Sequence, residues 1–230
     1  MKKFLVSVLM ILFVFGFAFS ASAVTIVTDN SGPIYTTPAI DGYATYDDDM
    51  YGMTVSITYA NGYTSNLTWA DLGSGVSGVQ GGNVDLTLNG DTFTAAWNFD
   101  SDDFRIAQIV LDAGAGDAVF DIWGDYVGTA GSAYGRAFAP LSSTSGDYDI
   151  TATYSGQVAL AGYAPVGDLY RFLTIDFTDG YFLGNDFLSF QADTDSVKVS
   201  GGLSVPEPAT MILLGTSLLG MAAVRRKIKK

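Results

Sequence analysis

Asp is the side chain on which any chemistry in this sequence must rest. The 230-residue chain has neither His nor Cys, which excludes thiol chemistry, disulfides, His-based triads and His/Cys metal sites. Glu occurs once, at Glu207, while 23 Asp fall between residues 24 and 204. Three groups of Asp stand where loops could offer oxygen ligands to a hard cation such as calcium: Asp47-Asp48-Asp49; Asn98, Asp100, Asp102 and Asp103; and Asp193 with Asp195. The second group alternates ligands at 98, 100 and 102, so Asp100, Asp102 and Asp103 are the calcium candidates. It lacks the Gly and the distal Glu of an EF-hand loop. The competing and stronger expectation is that these are solvated turn residues that keep strand ends polar and edges from aggregating.

Catalysis is poorly supplied. A glycosidase needs two carboxyls roughly 5–10 Å apart across a sugar, and Asp pairs could provide them, but no pair stands out. The aspartic-protease triplet is absent, since Thr194 follows Asp193 but precedes Asp195. No enzyme is expected. Sugar binding by stacking is a further reading, with Tyr43, Tyr46, Tyr51, Trp123, Tyr126 and Tyr134 as candidate platforms among 13 Tyr and 3 Trp. In a β-sandwich most such rings are core or cross-strand pairs.

The elements that must position these residues are strands. Asp in place of Glu removes a helix former and adds a turn former, and the aromatic share of 13% points the same way. Asn61-Gly62 joins the apolar run 53–60 to 63–69, and Asn89-Gly90 joins 84–88 to the alternating run 91–99. Both read as hairpins, because a type I′ turn needs positive φ at its two central residues. Further strands are expected at 24–28, 104–112, 118–123, 148–154, 157–162, 169–178, 186–192 and 196–200, with surface loops at 73–83 and 128–146. The fold class is all-β: an antiparallel, jelly-roll-like β-sandwich over residues 24–200, followed by a C-terminal transmembrane-type helix. Its core should hold Val55, Ile57, Leu86, Leu88, Phe93, Trp97, Ile106, Ile109, Leu111, Phe120, Ile122, Phe172, Leu173, Ile175, Phe177 and Phe190.

Residues 24–204 carry Arg105, Arg136, Arg171 and Lys198 as their only basic groups, a net charge of −19 against −13 for the whole chain. Such a body repels nucleic acid and anionic lipid. The two ends invert that pattern. Lys2 and Lys3, an apolar run from Phe4 to Phe19 and small residues at Ala21 and Ala23 make residues 1–23 a secretory signal, cleaved by signal peptidase after Ala23. At the other end, linker 201–210 holds Pro206-Glu207-Pro208, 211–224 is almost wholly apolar, and 225–230 holds Arg225, Arg226, Lys227, Lys229 and Lys230. Fourteen helical residues reach about 21 Å, short of a bilayer core of about 30 Å, so the span is marginal. Its basic end should stay cytoplasmic and leave the acidic body outside.

This tripartite end resembles the PEP-CTERM sorting signal of Gram-negative bacteria. The resemblance covers residues 205–230. It implies recognition and removal of the tail by an exosortase, a brief stay in the inner membrane, and delivery to the cell surface or an extracellular matrix. It implies nothing about the fold or activity of the body. The expectation is an exported structural or adhesive component, with exopolysaccharide as a candidate partner. A calcium-assisted carbohydrate-binding module is the alternative, and an Asp-dependent glycosidase the third reading.

Overall fold

The computed structural model describes residues 23–41, 44–102, 105–124, 128–132, 134–143, 148–184 and 186–197. The signal residues up to 22, Tyr43, Asp103, Tyr126, Lys198, the Pro206-Glu207-Pro208 motif, the apolar segment 211–224 and the basic tail lie outside the described residues. Among the described residues no helix is long and apolar enough to cross a membrane.

Among the described residues fifteen strands follow in chain order: β1 (Val24–Asp29), β2 (Tyr35–Thr37), β3 (Thr54–Tyr59), β4 (Thr64–Thr68), β5 (Ala70–Gly73), β6 (Val76–Gly81), β7 (Val84–Leu88), β8 (Trp97–Ser101), β9 (Ile106–Asp112), β10 (Ala118–Asp121), β11 (Ala139–Ser143), β12 (Asp149–Leu160), β13 (Leu169–Thr178), β14 (Phe187–Gln191) and β15 (Asp193–Ser196). Two short 3-10 turns, Asp47–Met50 and Ala113–Gly116, are the helical elements among the described residues. One sheet runs β1-β12-β13-β9-β3-β4, with β2 paired to β12, β10 to β13, and β15 to β10. The other runs β11-β14-β8-β7-β6-β5. Together they form an all-β sandwich. Its first sheet is mixed rather than purely antiparallel, because β1 and β2 both pair with β12 in parallel.

Period-two burial shows why these segments are strands. Val55, Ile57 and Tyr59 of β3 point inward while Thr54, Ser56 and Thr58 do not, and Ile150, Ala152 and Tyr154 repeat the pattern on β12. The inner faces meet in one large apolar cluster that joins Val55, Ile57, Ile109, Leu111, Leu173 and Ile175 of the first sheet to Leu86, Trp97, Phe99, Leu188 and Phe190 of the second. Trp97 is fully buried, stacks on Phe190 at 6.0 Å and 8°, and lies 5.1 Å from the Trp69 ring. Of the core expected from sequence, Phe93, Ile122 and Phe172 are only partly buried. Phe172 belongs instead to a small satellite cluster around Tyr35.

A hairpin is present at Asn61-Gly62, with Thr58 opposite Thr64, but its turn is not type I′. Gly62 N donates to Tyr59 O at 2.9 Å, so Ala60 and Asn61 are the central residues, and of Asn61 and Gly62 only Gly62 has positive φ, at 81°. The one at Asn89-Gly90 is not a two-residue hairpin. Val84 faces Ser101 and Thr87 faces Asn98, so residues 89–96 form the connection and β8 begins at Trp97. Asp91 diverts the chain: its carboxylate accepts from Phe93 N at 3.0 Å, its carbonyl from Ala95 N at 2.7 Å, and the next residue, Thr92, donates from N to Thr45 O at 2.9 Å. Local bonds of this kind compete with a strand ladder. Stretch 73–83, expected as a loop, contains β6 and a tight turn at Ser74-Gly75, where φ is 59° and 73°. Glycine there supplies turn geometry while its neighbours still pair. Segments 148–154 and 157–162 fuse into one strand, β12, which exchanges β1 for β2 at Gly156. Its φ is 67°, and a Cβ there would press on the Tyr35 and Phe172 rings at 2.9 Å.

Removing the Trp97 side chain should therefore leave a large inter-sheet cavity. Trp97→Ala is expected to destabilise the domain by about 3–5 kcal/mol, read as a lower urea midpoint at unchanged m-value. A loss below about 1 kcal/mol would mean the sheets do not pack through this residue.

Candidate functional site

β14 lies in the second sheet and β15 in the first, with Ala192 alone between them. The Ala192 carbonyl accepts from Trp97 Nε1 at 3.0 Å, which fixes the corner where the chain changes sheets. Directly past that corner, β15 pairs antiparallel with β10, placing Asp121 opposite Asp193 and Val119 opposite Asp195. Residues directly opposite share a face, and so do residues two apart on one strand. Asp121, Asp193 and Asp195 therefore converge: each offers a carboxylate oxygen, and the three oxygens lie within 4.8 Å of one another.

All three are buried, Asp121 at 2% and Asp193 and Asp195 at 1% exposure. Asp121 accepts from Trp123 N at 3.0 Å and from the Ser132 hydroxyl. Asp193 Oδ1 accepts from Thr92 Oγ1 at 2.9 Å. Among the described residues, Asp193 Oδ2 and Asp195 Oδ2 have no hydrogen-bond partner. A fourth buried carboxylate, Asp168, sits one residue before β13 and takes both of its bonds from Thr129, through N and Oγ1. Gly135 passes so close that a Cβ there would run into the Asp121 carboxylate, and Gly128 stands in the same relation to Asp168. The loop from β10 to β11 thus wraps the cluster using glycine and hydroxyl residues.

No cationic side chain among the described residues forms a salt bridge with this cluster. Among the described residues the salt bridge is Arg171 to Asp112, with Arg171 Nε 2.6 Å from Oδ1 and Nη2 2.8 Å from Oδ2. Arg136 is adjacent through its backbone, but its guanidinium lies over the Phe93 ring at 4.5 Å and bonds Gln191 Oε1. Burial therefore dominates the protonation of the trio. It pushes Asp193 up to about 8, with the charges of Asp195 and Asp121 adding to the rise against the Thr92 hydroxyl bond. Burial likewise pushes Asp195 up to about 7, helped by Asp121 and Asp168 and opposed by the Ser132 hydroxyl. Asp121 moves up as well, burial again first.

The residues singled out from sequence fall elsewhere, apart from Asp193 and Asp195. Asp100 and Asp102 are exposed and border an open groove with Asp85, and Asp85 faces Asp100 across β7 and β8. Asp48 and Asp49 are exposed on the first 3-10 turn, and buried Asp47 accepts from Gly90 N at 2.8 Å. Tyr46, Tyr51 and Tyr134 are exposed, and Trp123 is half-buried. Asp121 and Asp168 carried no sequence signal of their own. Each is a single Asp at a strand end, brought to Asp193 by pairing over more than 20 residues of chain.

For the trio, folded-state pKa values lie above the unfolded value of 3.8, so the stability they contribute is complete below that pH and is lost as pH climbs toward about 8. In chelator-treated protein the melting temperature should fall over this window, and Asp193→Asn should flatten the fall. Equal slopes for the two proteins would contradict the linkage.

Residues 204–227 match the family model of the PEP-CTERM protein-sorting motif. No curated protein and no solved structure matches the chain. The apolar and basic C-terminal segment, with Pro206-Glu207-Pro208 at its head, is thus a PEP-CTERM sorting signal, and the chain is an exported protein addressed to exosortase for membrane-associated processing toward the cell surface.

Proposed function

We propose that the body is a non-catalytic structural or adhesive component of the cell surface or extracellular matrix, released from its C-terminal tail by exosortase. The observation that carries this reading is the sorting motif at 204–227 attached to a strand-built, strongly acidic domain. The carboxylate cluster supports a role other than hydrolysis. A glycosidase places its two carboxyls on either side of a bound sugar, whereas Asp121, Asp193 and Asp195 are at most 2% exposed. Nothing the size of a pyranose reaches them without opening the sandwich. The absence of Cys from an exported domain is met by apolar burial across two sheets.

One observation favours carbohydrate as the adhesive target. Tyr63 is 64% exposed and stacks at 5.8 Å on Tyr59, beside a groove shared with Asn61, Ser65 and Asn83. An aromatic face flanked by amides and a hydroxyl is the chemistry that recognises a sugar ring and its hydroxyls. This platform is not among the residues singled out from sequence.

Replacing Pro206, Glu207 and Pro208 by Ala should leave the protein full-length at its C-terminus and in the membrane fraction, while wild type appears as a tail-less species in the surface or matrix fraction. Normal maturation of the variant would overturn the processing step. Recovery of wild type with its tail from the cytosol would overturn export. On a glycan array, Tyr63→Ala should lose binding at least tenfold, and undiminished binding would remove Tyr63 as the platform.

A further inference from the structure

We propose that Asp121, Asp193 and Asp195 together hold one calcium ion, which ties the last strand of the body to β10 and to the loop that follows it. The inference stands on the geometry of the trio and does not depend on the delivery or binding roles proposed above. Three independent features meet at one point. Carboxylates from β10 and β15 bring their oxygens within 4.8 Å of one another, a spacing that ligands on opposite sides of a single calcium ion would have at about 2.4 Å each. Two of the converging side chains, each 1% exposed, carry an oxygen with no hydrogen-bond partner among the described residues. Buried acceptors are almost always satisfied, so two adjacent orphans mark a missing partner. The loop after β10 makes room for the Asp121 carboxylate through Gly135 and supplies the Ser132 hydroxyl to it, while Thr92, from the connection between β7 and β8, donates its hydroxyl to Asp193.

The donor set selects the ion. Carboxylate and hydroxyl oxygens are hard ligands, and the chain has no His or Cys to favour zinc or copper. Magnesium dehydrates reluctantly and usually keeps several waters. A site closed to solvent on a strand pair suits the larger ion, which accepts irregular oxygen shells. The charge balance also fits: with Arg136 and Arg171 engaged elsewhere, a divalent ion offsets most of a −3 trio.

Binding would have a structural consequence at the C-terminal end. β15 pairs with β10, is tied further by Arg136 O accepting from Asp193 N at 2.9 Å and Ser196 O accepting from Asp41 N at 2.7 Å, and is the last strand among the described residues. An ion bridging Asp121 to Asp193 and Asp195 closes this end of the sandwich.

The test uses purified full-length protein stripped with chelator. Calorimetric titration with calcium should find one ion per chain, and the melting temperature should rise by about 5–10 °C when free calcium is about 100-fold above the dissociation constant. Magnesium should give a smaller shift. Asp193→Asn combined with Asp195→Asn should abolish both heat and shift, while Asp100→Asn combined with Asp102→Asn should keep them. If the first double variant does not fold, terbium added to the wild type supplies the readout. Excitation of Trp123, whose backbone N–H donates to the Asp121 carboxylate, should sensitise terbium emission that calcium then displaces. No heat and no thermal shift with calcium would overturn the proposal. So would a larger effect from magnesium, or loss of binding on changing Asp100 and Asp102 alone.

Discussion

The structure depends on how a domain with four basic residues tolerates acid in its interior. Moving a carboxylate out of water costs several kcal/mol, and a like charge beside it adds to the cost. Four buried Asp surround the β10–β15 pair, while Arg171 is committed to Asp112 and the Tyr35 face, Arg136 to Gln191 and the Phe93 face, and Arg105 is exposed. Protons or a cation must make up the difference. Buried aspartates with no such compensation would be replaced readily by apolar residues at a gain in stability, so their presence on three chain segments calls for a counter-charge that the protein takes from its surroundings.

The sandwich makes this arrangement with one corner. Trp97, the largest side chain at the interface of the sheets, packs on Phe190 and donates to the Ala192 carbonyl. That bond turns the chain from β14 into β15 and presents Asp193 to Asp121. Next along β15, the Thr194 backbone N–H donates to Thr92 Oγ1, the hydroxyl that also bonds Asp193, and the Thr194 hydroxyl donates to the sulfur of Met50. Apolar packing and the acidic site are thus joined through Ala192. Fold stability and the geometry of the carboxylates should respond to the same perturbations.

Period-two patterning made most of the sandwich readable in the sequence. Strand 169–178 was legible to the residue, and the hairpin at Asn61-Gly62 was placed correctly although its turn is centred on Ala60 and Asn61 rather than being type I′. Readings failed where a side chain or a glycine overrode the local pattern. Asp91 replaced a hairpin with an Asx turn, and the glycines of 73–83 hid β6. Parallel pairing of β1 and β2 along β12 left no local trace, because it joins residues more than 100 positions apart. The acidic site was half legible. Asp193 and Asp195 announced themselves by alternation, but Asp121 and Asp168 became neighbours only through long-range pairing, and burial rather than clustering distinguishes the trio from the exposed Asp100 and Asp102. The sorting signal was readable because it acts as a linear address and needs no tertiary contact.

The central claim is that the buried trio is completed by one bound ion. Crystals of the mature protein grown in calcium, measured at a long wavelength where calcium scatters anomalously, would test it most directly. The account predicts a single anomalous peak bonded to oxygens of Asp121, Asp193 and Asp195. Difference density free of any peak there, with the three carboxylates hydrogen-bonded to one another or to water, would contradict it.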